Sequence, residues 1–252
     1  MRMDAIEHRK AIEREGAALA DAATGNLDRP VPSCPEWDVA KLVRHTGRVH
    51  RWAASHVASP DGDISAGPKP PEGDALVDWY RESVGVLLDE LDRHDPDEPC
   101  RTFAGEATVA WWLRRQALEV AVHRWDAEHA ARAGAASPVE PVLAADGVDE
   151  WLRFFVPRFL ARRDEPIPAP LVGATVHLHG TDEAAAGEAE WLLRLTADGA
   201  EVEDGHAKGD AAVRASTSDL LLAVWHRIPL GGLDVVGDAA TAAAVLDLVH
   251  VT

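Results

Sequence analysis

Apolar residues along the first 130 positions recur with the period of amphipathic helices. They return every three or four residues in four separate stretches, a spacing that gathers them on one helix face. Ser33 and Glu36 have the S-x-x-E form of a capping box, after which the second helix runs to about Val57. The other three predicted helices span residues 4–24, 72–93 and 107–130. Helices of this length joined by short loops predict a four-helix bundle.

The pattern changes after a small, turn-rich segment at residues 133–141, which predicts a boundary between a domain 1–135 and a domain 142–252. A helix predicted from Ala144 to Arg163 is interrupted by Pro157. Period-two alternation then predicts strands at 174–179, 191–196, 201–203, 211–215 and 233–236, with helices at 217–226 and 239–249. This second half is predicted to be a smaller α+β domain with an antiparallel sheet and helices on one side.

The fourth predicted helix carries a carboxylate and an imidazole on its inward face. Glu119 and His123 lie four residues apart, so they project from neighbouring turns beside Trp112 and Gln116. An unpaired buried charge is costly, and a divalent metal is one partner that would satisfy both groups. The alternative is an ordinary hydrogen-bonded pair on a solvated helix face.

A histidine on the second helix strengthens the metal interpretation. His45 lies on the apolar stripe of that helix, whereas His50 is roughly 140° further round and is predicted to face elsewhere. Metal sites in bundles form from facing helices, and His45, Glu119 and His123 would supply three ligands with a fourth position open, as in catalytic zinc sites. Iron and nickel are alternatives. Asp126 is either the residue that orients an imidazole or a solvated helix residue.

Other candidate groups carry less information. His177 and His179 share one face of a predicted strand, where they would either chelate a metal or face water. The sequence contains no glycine-rich dinucleotide motif, no P-loop and no G-x-S-x-G motif, so nucleotide binding and serine hydrolysis have no support.

Composition limits the partners and the compartment. The 252 residues include 43 acidic and 25 basic side chains, a formal net charge of −18. Such a surface repels nucleic acids and anionic lipids, so neither is expected as a partner. Cys34 and Cys100 are too few for a disulfide framework, the first residues lack a secretory signal, and no apolar run is long enough to cross a membrane. We therefore expect a cytoplasmic protein.

Three segments resemble a known family. VPSCPEWDVAKLVRHTGRVHRW (31–52) resembles the P-x-C-P-x-W-x-V-x-x-L-x-x-H opening of the mycothiol-dependent maleylpyruvate isomerase family. Glu119-x-x-x-His123-x-x-Asp126 is similar to the second signature of that family. The segment LLLAVWHRIPLGGLDVVGD (220–238) is similar to its C-terminal domain and includes Arg227. The resemblance covers essentially the whole chain in the right order.

The resemblance implies a DinB-like four-helix bundle with zinc at His45, Glu119 and His123, and a smaller α+β domain closing over it. It also implies the low-molecular-weight thiol mycothiol as cosubstrate and Arg227 as a catalytic residue on the substrate side. The alternative for Arg227 is a surface or interdomain salt bridge. The residues that would bind the thiol are not assigned.

The chemistry of these groups agrees with the family's activity. A thiol that coordinates zinc is deprotonated, and the thiolate is the nucleophile. Its addition to a conjugated double bond allows rotation, and elimination returns the thiol, while a guanidinium holds a substrate carboxylate. We therefore expect a zinc-dependent, mycothiol-using isomerase or S-transferase that acts on a small electrophilic carboxylate such as maleylpyruvate, as a monomer or homodimer. The alternatives are a non-catalytic ligand-binding or stress-response protein and a metal-dependent hydrolase.

Overall fold

The computed structural model divides into two compact units. The first unit covers residues 3–137 and consists mostly of four helices. They are α1 (Ala5–Ala23), α2 (Val39–Ala58), α3 (Ala75–Leu91) and α4 (Val109–Ala131). The described residues are 3–59, 62, 64–185, 187 and 189–250. Helix α1 packs on α4 and α3, and α2 packs on α3 and α4. The N-terminal unit is therefore helical, as predicted.

The interior of this unit is built from the apolar stripes that the sequence predicts. Each fully buried aliphatic or aromatic side chain contributes roughly 1.5–3 kcal/mol relative to an exposed one. Arg124 of α4 adds a buried ion pair, since its Nε donates to Glu15 of α1 over 2.7 Å. The side chains at the centre include Ile12, Leu19, Leu42, Leu76, Leu87, Trp112 and Leu118.

The starts of α2 and α4 differ from the predicted ones for identifiable reasons. The capping box at Ser33 is wrong, because residues 31–37 form turns and α2 begins only at Val39. Asp38 is the cap instead, and its Oδ1 accepts a hydrogen bond from the Lys41 amide over 2.6 Å. Helix α4 begins later than predicted because a short hairpin precedes it, with β1 (Pro99–Thr102) antiparallel to β2 (Gly105–Thr108).

The second unit begins at Pro138 and opens with a divided helix. Helix α5 (Pro141–Glu150) continues into a π-helical turn (Trp151–Phe155) and then α6 (Val156–Leu160). The π-helical turn ends at Phe155, two residues before Pro157. The amide of the next residue, Val156, donates a hydrogen bond to the Trp151 carbonyl. A proline lacks an amide donor, so the regular helical hydrogen-bond ladder is interrupted at this point, as predicted.

A five-stranded sheet forms the centre of the second unit, in the order β5-β4-β3-β6-β7. Three of its four pairings are antiparallel, but β3 and β6 are parallel, so an entirely antiparallel sheet is wrong. The parallel pairing arises because the chain crosses from β5 at one edge over β4 and β3 before it enters β6. The strands are β3 (Thr175–Gly180), β4 (Glu190–Thr196), β5 (Gly199–Asp204), β6 (Ala211–Ala215) and β7 (Asp234–Gly237).

Helices α7 (Thr217–Val224) and α8 (Ala239–Leu246) pack against β3 and β6. Along β3, Val176 and Leu178 are fully buried, and the alternation of a strand places His177 and His179 on the opposite face. Across the described ranges, no helix has the length and hydropathy needed to cross a membrane.

Candidate metal centre

Helices α2 and α4 bring the three predicted ligands together. The Nε2 atoms of His45 and His123 each lie 3.3 Å from Oε1 of Glu119, and one potential ligand atom from each residue lies within 4.8 Å of the others. His45 comes from α2, and Glu119 and His123 come from successive turns of α4. That these side chains hold a metal stays a prediction, but their convergence is a feature of the structure.

The spacing of these atoms suits a small divalent cation. A tetrahedral zinc ion with bonds of about 2.0–2.2 Å separates neighbouring ligand atoms by roughly 3.3–3.5 Å. Both nitrogen–oxygen distances are 3.3 Å. The exposed fraction of the side chain rises from 9% at His123 through 15% at Glu119 to 37% at His45. The cluster is therefore buried on its α4 side and accessible near His45.

Asp126 holds His123 from behind. This carboxylate is fully buried, and its Oδ2 accepts a hydrogen bond from Nδ1 of His123 over 3.0 Å. Its other oxygen accepts a hydrogen bond of 2.6 Å from the hydroxyl of Ser33. Once a metal displaces the proton from Nε2, the proton that remains on Nδ1 would leave the Nε2 lone pair directed toward the ligand position beside Glu119. The orienting role of Asp126 toward a bound metal stays a prediction.

Two neighbouring side chains are absent from the set of predicted site residues. Arg115 lies one helical turn before Glu119 on α4. Its side chain is 4% exposed and forms an ion pair with Oε2 of Glu119. Oε1 is therefore the oxygen that faces both histidines. Trp37, whose ring centroid lies 4.9 Å from that of His45 and 6.0 Å from that of His123, forms a wall beside both imidazoles. The i,i+4 spacing of Arg115 and Glu119 was the available signal.

The charges in this cluster shift its pKa values. Burial alone would raise the pKa of Glu119, but Arg115 and the two histidines hold it well below its usual range. Burial alone would lower the pKa of His123, but the carboxylates of Asp126 and Glu119 raise it to about 9. Without a cation, His123 is therefore protonated at neutral pH, and a metal that binds there must displace that proton.

His50 was predicted to face elsewhere than the apolar stripe of α2, but it points into the interior. It is fully buried, and its Nδ1 lies 2.7 Å from Oε1 of Gln116 on α4. Burial lowers its pKa to about 4, so the ring is neutral. The prediction is wrong because α2 packs against both α3 and α4, so a side chain well off the His45 direction still points into the core.

Arg227 is positioned by the end of α7 in the second unit. The amide of Arg227 donates to the Leu222 carbonyl and that of His226 to the Ala223 carbonyl, which is a Schellman motif. His226 has φ 56°, a left-handed conformation that usually belongs to glycine. The guanidinium donates from Nη1 to the Trp225 carbonyl over 2.9 Å. The catalytic role of Arg227 stays a prediction.

Fold and cluster together define a class: a helical unit with a candidate His-Glu-His metal centre, followed by a unit built on a mixed sheet. Residues 8–128 match the family model described as "Mycothiol maleylpyruvate isomerase N-terminal domain", and residues 142–244 match "MDMPI C-terminal domain". The chain belongs to the mycothiol-dependent maleylpyruvate isomerase family. The predictions of this family and of an enzyme are thereby confirmed at the level of the family.

Solved structures agree with this assignment at the level of the fold. One is a mycothiol-dependent maleylpyruvate isomerase, with a TM-score of 0.64, 12% identity, and coverage of 92% of this chain and 93% of that chain. A second, a mutant with a histidine replaced by alanine, has a TM-score of 0.62 at the same identity and coverage. No curated protein sequence gives a significant match.

Proposed function

We propose that this protein is a metal-dependent, mycothiol-using isomerase or S-transferase that acts on a small electrophilic carboxylate such as maleylpyruvate. The observation that carries the proposal is the convergence of His45, Glu119 and His123 in a chain of this family. We further propose that the helical unit is a DinB-like four-helix bundle, since each of its four helices packs on at least two others. Mycothiol and maleylpyruvate come from the names of the family and of its solved structures.

The donor set favours zinc. Two imidazole nitrogens and one carboxylate oxygen are the ligand types of catalytic zinc sites, which keep a fourth position for water or substrate. Zinc held by these residues would supply the Lewis acidity that stabilises the thiol of mycothiol as a thiolate. The greater exposure of His45 than of His123 places access to the fourth position on the α2 side of the cluster.

The residues around the cluster would keep its geometry fixed during turnover. Asp126 keeps the proton of His123 on Nδ1, and Ser33 in turn holds Asp126. Arg115 forms an ion pair with one oxygen of Glu119 and so partly neutralises the negative charge that this carboxylate brings to the ligand set. Trp37 places an indole against both imidazoles and limits the approach of water from that side.

The substrate requires an electrophilic double bond conjugated to a carbonyl. Addition of the thiol sulfur to one alkene carbon leaves a single bond that rotates, and loss of the same sulfur restores both the double bond and the thiol. An S-transferase would instead release the adduct. We propose that Arg227 binds the carboxylate, because a guanidinium offers two parallel donors to its oxygens.

The test is turnover of maleylpyruvate by the purified full-length protein. We expect isomerisation that requires mycothiol, stops on removal of metal by a chelator, and returns on addition of zinc. His123→Ala should lower kcat/KM by at least about 100-fold, which is the scale of loss expected for an essential catalytic group. His129→Ala, on the same helix but outside the cluster, serves as the matched control and should keep its activity.

The products of the same assay separate the remaining functions. The trans isomer identifies an isomerase, and accumulation of a thiol adduct identifies an S-transferase. Metal-dependent hydrolysis without thiol would contradict the proposal, as would full activity of His123→Ala. Arg227→Lys should raise KM more than it lowers kcat, because a lysine keeps the charge but loses the paired donors.

A further inference from the structure

A second cluster of metal-ligating side chains lies on the sheet of the C-terminal unit. His177 and His179 project from the same face of β3, and Glu190, the first residue of β4, pairs with His179 in the register of the two strands. His206 follows the end of β5, in the connection to β6. One potential ligand atom from each of the four side chains lies within 4.8 Å of the others.

Three imidazoles are aimed at a single carboxylate oxygen. Oε2 of Glu190 lies 3.2 Å from Nε2 of His177, 3.2 Å from Nδ1 of His179 and 2.8 Å from Nδ1 of His206. The three rings are nearly perpendicular to one another, with interplanar angles of 76°, 89° and 84°. They converge edge-on, as ligands do around an ion, rather than stacking face to face.

Hydrogen bonding to Oε2 accounts for only two of these three contacts. A carboxylate oxygen has two lone pairs, whereas three ring nitrogens surround this one. The contacts of His177 and His206 with Oε2 have hydrogen-bond geometry, whereas the contact of His179 is an ion-pair distance. A central ion with bonds of about 2.0–2.2 Å would place these atoms roughly 3.3–3.5 Å apart. The 3.2 Å distances of the His177 and His179 nitrogens from Oε2 lie just below this range.

We infer that His177, His179, Glu190 and His206 form a second site for a divalent transition metal, with zinc as the expected ion. The inference concerns a unit other than that of His45, Glu119 and His123, and it does not rest on the proposed function. Three nitrogens and one oxygen complete a tetrahedral set, and a site with four protein ligands is structural rather than catalytic.

The topology indicates what such an ion would do. Residues 205–210 carry the chain from β5 across β4 and β3 to β6. They contain no regular helix or strand. At Gly209 a Cβ atom would lie 3.2 Å from the amide nitrogen of His177, so this segment runs directly against β3. An ion bound by His206 and the three strand residues would fasten this crossing segment to the two strands beneath it.

The difference in exposure between the ligands indicates how a metal ion would enter the cluster. His177 is 4% exposed, whereas His206 is 78% exposed and lies on the outer side of the cluster. A metal arriving from solvent would meet three preformed ligands and be closed in by the fourth. His206 is therefore the residue to replace, since a substitution at such an exposed position leaves the packed core unchanged.

Among the residues of this unit that the structure describes, His226, Asp247 and His250 form another group of ligand-type side chains. The rings of His226 and His250 stack face to face at 3.9 Å, and Nε2 of His226 bonds to the Val249 carbonyl. One nitrogen is therefore already in use, and stacked rings direct their nitrogens poorly toward a common point. This group supplies a matched control.

The test measures zinc bound per chain in the full-length protein after metal removal, reloading and dialysis. In the His123→Ala background, which lacks the first cluster, we expect one equivalent of zinc. His206→Gln added to that background should lower zinc affinity by at least about tenfold, the smallest loss expected for a group that supports a metal site. His250→Gln in the same background should keep the equivalent. Circular dichroism checks that each variant is folded.

Cobalt(II) gives an independent measurement of the ligand geometry. In the His123→Ala background the bound ion should show the intense visible absorption of tetrahedral cobalt, which His206→Gln should remove. An unchanged zinc affinity in a folded His206→Gln variant, a lowered affinity in His250→Gln instead, or no zinc bound in the His123→Ala background would each overturn the inference.

Discussion

Individual side chains in the α2–α4 cluster are held by contacts on their far sides. Glu119 is held by Arg115 through Oε2, and His123 is held by Asp126 through Nδ1. Asp126 is itself fixed by the hydroxyl of Ser33. Each bond leaves one ligand atom facing His45, so the cluster is preorganised before any ion arrives.

Replacement of the buried carboxylate tests this preorganisation. Asp126→Asn removes the charge that stabilises His123 with its proton on Nδ1 but keeps the size of the side chain. We expect zinc affinity at the α2–α4 cluster to fall by about 10–100-fold. Competition with a chromophoric chelator, in a His206→Gln background that weakens the site proposed on the sheet, provides the measurement. Ser33→Ala should give a smaller loss, and an unchanged affinity in Asp126→Asn would contradict the orienting role.

At the residue scale, local spacing identified some members of the cluster but not others. Glu119 and His123 were predicted because they share a helix face, and His45 because it lies on an apolar stripe. Ser33 is 93 residues from Asp126 in the chain, so no local pattern could pair them. The wrong prediction for His50 has a similar cause, since its environment depends on two neighbouring helices rather than on its own.

At the element scale, the approach of α2 to α3 depends on a residue without a side chain. A Cβ atom at Gly47 would lie 2.4 Å from Cζ3 of Trp79, closer than atoms can pack. The indole of Trp79 is buried on α3, so it has little room to move. This contact fixes how closely the helix that carries His45 approaches its neighbour.

Substitutions at two helical glycines separate this packing effect from helix propensity. Gly47→Ala should destabilise the protein by about 1–3 kcal/mol, the usual cost of overpacking. Gly85→Ala, on α3 with no atom within 4 Å of the added methyl group, should stabilise it by about 0.5–1 kcal/mol. Urea denaturation followed by fluorescence measures both. Equal effects of the two substitutions would show that the Trp79 contact does not matter.

Hydrophobic periodicity predicted most of the helices and strands, and it failed where tertiary contacts decide. The start of α2 was misplaced because turns at residues 31–37 displace the expected cap to Asp38. The parallel pairing of β3 with β6 was missed because the alternation along a strand is the same in parallel and antiparallel sheets. The pairing depends on where residues 205–210 cross the sheet, and the hydrophobic pattern of the sequence does not predict that crossing.

The same crossing segment has a pH-dependent anchor in Asp210. Its Oδ2 accepts hydrogen bonds from the amide and hydroxyl of Thr175, at 2.8 and 2.7 Å. These bonds lower the pKa of Asp210 below its usual value. The stabilisation is therefore present at neutral pH and is lost as pH falls through the lowered pKa of the folded state.

We expect Asp210→Asn to destabilise the protein at neutral pH, because the charge that accepts the Thr175 hydrogen bonds is lost. The effect should be only about 1 kcal/mol, because the site is exposed and solvent screens the charge. The difference from the wild type should narrow as pH falls below the ordinary aspartate pKa of about 3.9 and through the lowered pKa of the folded state. Urea denaturation across this range measures it, with the exposed Asp164→Asn as the control. A difference that is independent of pH would contradict the role of the charge.

At the scale of the whole molecule, fold and family are better defined than sequence similarity alone suggests. The solved isomerase shares 12% identity with this chain, yet the TM-score is 0.64 over 92% of the residues. The chain carries a formal net charge of −18, which favours the approach of cations over that of anions. The carboxylate-binding role proposed for Arg227 would offset this repulsion for an anionic substrate.

The central claim is that His45, Glu119 and His123 hold a metal with a position open for a thiol. The most direct measurement is the absorption of the cobalt(II)-substituted protein as mycothiol is added. We predict a thiolate-to-cobalt charge-transfer band in the wild type and its loss in His45→Ala and His123→Ala, while the four-ligand site on the sheet contributes none because it has no open position. A wild-type protein that binds cobalt but shows no such band with mycothiol, or a band unchanged in His123→Ala, would contradict the account.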